Sequence, residues 1–137
     1  MRRLLAMLSV LALALPAGAA PLGPSSFEAM AEGRTLRFVA RDGAPFGAEQ
    51  YFPGRRSLWQ YPDGSCAEGR WWPEGDDVCF SYGVGAGREC WSFEAGPTGI
   101  SVRLVSGSDG APAGSLVIDL AGVDRVPLEC PGPDVGT

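Results

Sequence analysis

Four cysteines, Cys66, Cys79, Cys90 and Cys130, carry the widest chemistry open to this 137-residue chain. Two of them bracket the stretch CFSYGVGAGRECWSF, residues 79–93, whose glycine-rich middle invites comparison with a phosphate cradle. A dinucleotide loop needs G-x-G-x-x-G between a strand and a helix. Here Gly83, Gly85 and Gly87 alternate singly, and RECWSFE after them reads as another strand. A zinc site needs paired C-x₂₋₄-C spacing or histidine partners, and the chain has neither. That leaves two disulfides, the default state of paired cysteines in an exported protein.

Other chemistry is bounded by absence, since the chain contains no histidine, lysine or asparagine. Nucleophile–histidine pairs, imidazole ligands, Schiff bases and a P-loop lysine are therefore closed to it. Paired carboxylates remain as a route to hydrolysis. Glu74, Asp76 and Asp77 are adjacent, but they occupy a turn, where acids commonly act as solvated capping groups. Arg55 and Arg56 read as a solvated edge, and Glu49, Tyr51 and Arg37 as a polar cluster the spacing allows but does not require. Trp59, Trp71, Trp72 and Trp91 all fall within 33 residues. Such a group serves either as the core of a small β domain or as a ligand platform. If a platform exists, Trp72, Trp59 and Arg70 are its expected members. No catalytic residue, metal site or cofactor is expected.

The elements that must position these residues start after a leader. MRRLLAMLSVLALALPAGAA has a basic start at Arg2 and Arg3, an apolar run from Leu4 to Leu15, and a small-residue site at Ala17–Ala19. This is the pattern of a secretory signal peptide, cleaved after Ala19. The run of about a dozen residues is short of the ~20 a membrane helix needs. Removing residues 1–19 leaves residues 20–137 as a single β domain stapled by disulfides, with 9 arginines against 16 acids and a net charge of −7. That charge disfavours nucleic acid or an anionic membrane as partner. The expected product is a periplasmic or secreted protein with no stable membrane anchor.

PSSFEAMAEG predicts one short helix, capped by Ser25 or Ser26, with Glu28 in its first turn and Gly33 at its end. Beyond it, brief alternating runs separated by Gly, Pro and Asp predict strands near 34–41, 46–52, 56–61, 66–72, 77–83, 89–94, 99–105 and 115–120. A last short strand is expected at 125–129. FPGR suits a type II turn with Pro53 and Gly54 at its centre, and SGSDGAPAG, 106–114, reads as a flexible loop. The fold class is all-β, an antiparallel meander of about eight short strands closing as a small barrel or sandwich.

With Val84 and Gly85 in the turn, Cys79 falls opposite Cys90 and Val78 opposite Trp91. Val78, Phe80, Tyr82, Trp91 and Phe93 then share one face, which fixes the register. Cys79–Cys90 is the expected cross-strand bridge and Cys66–Cys130 the expected long one, with the other pairings of the four cysteines left open by the sequence. For the preceding hairpin, a four-residue loop, Pro73–Asp76, pairs Trp71 with Val78. It turns Trp71 inward, leaves Trp72 outside over the staple, and sets Gly69 opposite Phe80. A three-residue loop would instead bury Glu68 and Arg70, at a cost.

FEAMAEGRTLRF, EQYFPG and CAEGRWWPEGDDVCFSY…CWSF together resemble a family of small exported proteobacterial domains of unknown function. These begin with a short helix and a G-x-T strand. A G-x-W…G-D-x-[IVL]-C-[FL] hairpin follows, then a second cysteine and an aromatic. The similarity spans roughly residues 27–93 and rests on Gly69, Trp71, Gly75, Asp76, Cys79, Phe80, Cys90 and Trp91. It implies an exported β-rich domain without assigned activity, and it supports the Cys79–Cys90 pair. The expected function is a non-catalytic binding domain for a small ligand or protein partner. Inhibition of an exported hydrolase is the alternative, with AAPLGPSS as the one candidate arm, and a carboxylate-based hydrolase the remote one.

Overall fold

The computed structural model describes residues 18–131 together with Ala14. The basic start and most of the apolar run of the expected signal peptide lie outside the described residues. Among the described residues no helix is long and apolar enough to cross a membrane.

The chain forms β1 (Ala20–Pro21), α1 (Pro24–Ala31), β2 (Thr35–Ala40), β3 (Pro45–Phe52), β4 (Arg56–Gln60), β5 (Cys66–Glu74), β6 (Asp77–Tyr82), β7 (Arg88–Gly96), β8 (Gly99–Ser106) and β9 (Val117–Asp124). Strands β2 to β9 pair antiparallel in sequence order, and β9 returns to β2, so the meander closes as an eight-stranded barrel. Closure removes the free edges that a sheet of this length would otherwise expose. β1 adds a short extra strand: Ala20 and Pro21 lie opposite Ala95 and Glu94, beyond the point where β6 pairs with β7.

Three irregularities bend the sheet, between Phe38 and Val39 against β3, between Arg37 and Phe38 against β9, and between Cys90 and Trp91 against β8. Bulges of this kind sharpen local twist and help a small sheet curl. The first leaves Phe46 as the extra residue and sets its ring against Trp59 and Trp91, with centroids 5.9 and 6.5 Å away.

Helix α1 closes one end. Its cap is the Gly23 backbone, with Pro24 at the first helical position and no side-chain cap. The expected serine cap is thus displaced by proline, whose missing N–H belongs at that position. Gly33, at φ 72°, ends the helix as expected. Phe27 is fully buried and meets Tyr51, Trp71 and Phe93 at centroid distances of 5.4, 5.1 and 4.6 Å. It stoppers the end that carries the turns at 53–55, 75–76 and 97–98. In the first of these Gly54 takes φ 79°, and Arg55 also adopts a left-handed φ of 57°. The Arg55 guanidinium lies over Trp71 and 3.4 Å from Glu28, so it is pinned rather than freely solvated.

Both disulfides form, Cys79–Cys90 and Cys66–Cys130. Val78 pairs with Trp91 and Cys79 with Cys90, the register expected from the apolar face. The neighbouring hairpin differs from expectation. Glu74 pairs with Asp77 around a two-residue turn, with Gly75 at φ 58°, and Trp71 lies opposite Phe80 instead of Val78. Glycine with positive φ at the first central position lets the turn be this short. The shift is by two residues, so each side chain keeps its face: Trp71 is core and Trp72 outside. Gly69 accordingly faces Tyr82, not Phe80, and a Cβ there would come within 2.7 Å of the Tyr82 ring and the Ser57 hydroxyl.

The expected strand at 125–129 is not one. Pro127 has no N–H to give a ladder, and the segment crosses strands rather than following them. It is strapped down by side chains: the Thr35 hydroxyl donates to the Val126 carbonyl, the Leu128 N–H to Gln50, and the Gln60 amide to the Glu129 carbonyl. Cys130 then ties the strap to β5.

A candidate ligand cavity inside the barrel

The end opposite α1 is open. A cavity of about 650 Å³ runs from there into the barrel. Its rim comes from Tyr61 and Pro62, from Pro45, and from the loop 107–116. That loop, expected to be flexible, is folded back on itself. The Gly114 N–H donates to Leu104, the Ala111 N–H to the Asp109 carboxylate, and the Gly110 N–H to Gly107.

Nine of the lining residues are aromatic, with Val102, Leu104 and Ile118 completing the wall. Alternation explains this, because the inward parity of β3, β4, β6 and β7 selects Tyr51, Trp59, Phe80 and Trp91. The same parity also sends two acids inward. Glu49 on β3 is 3% exposed, and Glu89 on β7, opposite Phe80, is half-buried. Asp109 adds a third carboxylate at the rim.

Glu49 is held by neighbours on three strands. The Tyr51 hydroxyl donates to one carboxylate oxygen at 2.9 Å and the Tyr82 hydroxyl to the other at 2.8 Å. Ser57 faces the same group, although its buried hydroxyl reaches no full hydrogen bond. Burial drives the Glu49 carboxyl up from its ordinary 4.5 to about 7, against the three hydroxyls, which favour the charged form; nearby Glu89 adds to the rise. Burial and the Glu49 charge likewise hold both tyrosines well above 10, so they remain O–H donors. Glu89 is raised too, first by burial, while the Trp91 indole N–H donates to it at 3.1 Å and opposes the rise. No arginine lines the cavity, and neither Glu49 nor Glu89 has an ion-pair partner among the described residues.

The residues singled out from sequence separate. Trp59 lines the cavity, whereas Arg70 and Trp72 lie on the outer face, in a second concavity with Arg56, Leu58 and Glu68. The Trp72 indole donates to Glu74, which also receives Arg88. Of the polar cluster, Glu49 and Tyr51 do meet, but Arg37 points outward to Asp124 at 2.8 Å. Its place between inward-facing Leu36 and Phe38 dictates that. Glu74 also lies near the Cys79 and Cys90 sulfurs, but these are bonded to each other and offer no thiolate to a metal. The acids at 74–77 belong to a surface turn. Glu89 is signalled in the sequence only by parity, as an acid in register with the aromatic face.

Compared with known proteins, the chain matches no family model, no curated protein and no solved structure.

Proposed function

We propose that this protein is an exported, non-catalytic binding protein that takes a small, largely apolar ligand into the barrel interior. The observation that carries the reading is the aromatic cavity of about 650 Å³, open at one end and stoppered at the other. Its size lies within the ordinary range for small-molecule sites, and an apolar wall with a few convergent polar groups is their usual composition. Export is supported by the signal-like leader, by two disulfides that suit an oxidising compartment, and by the resemblance to small exported proteobacterial domains.

The alternatives draw less support. An inhibitory arm would need AAPLGPSS free, yet Ala20 and Pro21 pair with β7 and the Leu22 N–H donates to Phe93. A carboxylate hydrolase would need one acid to protonate the leaving group and a second to act as base or nucleophile, and nothing in the pocket sets Glu49 and Glu89 apart in those roles: burial raises both.

The test is a neutral, environment-sensitive dye such as Nile red. One dye per chain is expected to bind with blue-shifted emission, and Ala111→Trp, which places an indole at the rim, is expected to abolish it. Unchanged emission on adding the native protein overturns the reading.

A further inference from the structure

The cavity's charge is one-sided, and that narrows what it takes. Resting on the reading of the cavity as the binding site, we infer that its ligand is a small apolar molecule bearing a positively charged amine, its cationic end facing Glu89 and Glu49. Among the described residues three carboxylates line the space and no base does. An anionic ligand such as a fatty acid would meet only like charge. A neutral ligand would expel water from the half-buried Glu89 without replacing its solvation, and a buried carboxylate left so is costly. A cation reverses both terms, and in a low-dielectric space its attraction to a carboxylate is far stronger than in water.

The geometry leaves room for it. Each Glu49 oxygen accepts one tyrosine hydroxyl, and a carboxylate has about four acceptor sites. Glu89 accepts the Trp91 N–H on one oxygen only. The groups facing Glu49 are Tyr51 on its own strand, Ser57 on β4, Tyr82 on β6 and Glu89 on β7, and none is cationic. The rings of Trp59 and Trp91 line the same space and add a second attraction, since aromatic quadrupoles favour a cation.

Calorimetric titration with three matched probes, 4-phenylbutylamine, 4-phenylbutanol and 4-phenylbutanoate, decides this. At pH 8 the amine is protonated and Glu49 mostly ionised. The amine is expected to bind at least tenfold more tightly than the alcohol, and the acid least tightly. Glu89→Gln and Glu49→Gln should each reduce the amine-to-alcohol ratio at least threefold, and the double variant should bring it near one. Glu89 is the more exposed, so its variant reads the cavity's charge without altering the buried Glu49. An amine no tighter than the alcohol, or an amine-to-alcohol ratio that E89Q lowers by less than threefold, overturns the ligand class while alcohol binding still upholds the cavity. If none of the three binds at millimolar concentration, both readings fall together.

Discussion

Glu49 shows what one misplaced charge does to a small core. Its side chain sits where β3 would ordinarily place an apolar residue, between Tyr51 and Trp59, and it is nearly inaccessible. Because its folded pKa is raised, the folded chain holds this proton more tightly than the unfolded chain does. Stability therefore falls as pH rises from about 4.5 to about 7, and the loss is complete above that window. A shift of this size corresponds to about 3 kcal/mol. Glu49→Gln keeps the shape and removes the charge. It is expected to be more stable than the parent at pH 8, with the advantage gone by pH 4.5. Urea midpoints of both proteins across that range would show it, and parallel pH profiles would contradict the burial of a titrating carboxyl.

At the level of elements, the staple hairpin was legible to the residue because an unbroken apolar face and a cross-strand cysteine pair agree on one register. Its neighbour was legible only in parity. Pro73 looked like the start of a loop, but Gly75 permits a two-residue turn and β5 runs on to Glu74, pairing Pro73 with Val78. Faces survive a two-residue slip and partners do not, which is why Trp71 was placed correctly and Gly69 was not. The C-terminal strap was illegible for a different reason. It is held by Thr35, Gln50 and Gln60, side chains distant in sequence, and has no periodicity of its own. The Cys66–Cys130 bridge spans 64 residues against 11 for Cys79–Cys90, so chain entropy gives it the larger effect, about 4 kcal/mol against about 3. Replacing Cys66 and Cys130 together by serine should lower stability by up to about 4 kcal/mol. Amide exchange should quicken first at Leu128, with β5, β6 and β7 still protected. Uniform loss of protection across the barrel would mean the strap has no independent role.

For the molecule as a whole, barrel closure and the candidate site are one problem. Eight short strands curl tightly enough that inward side chains and Phe27 fill the helix end, while the opposite end stays open, rimmed by Pro45, Tyr61, Pro62 and the loop 107–116. The sequence announces the strands and the aromatic face, but whether that face encloses a core or a cavity depends on closure between β2 and β9, whose partners lie 78 to 89 residues apart. Phe27 is where core and cavity adjoin. It is fully buried, touches three aromatic residues from β3, β5 and β7, and fills the helix end of the barrel. Phe27→Ala should cost about 3–5 kcal/mol, the usual range for emptying an aromatic core site. If the interior holds ligand, the same change should also speed release, because it hollows the floor beneath Tyr51 and Phe93, which line the cavity. Stopped-flow displacement of bound dye, at a temperature where the variant remains folded, separates the effects. Faster release together with lost stability fits a stopper shared by core and cavity, whereas lost stability with unchanged release would confine Phe27 to packing.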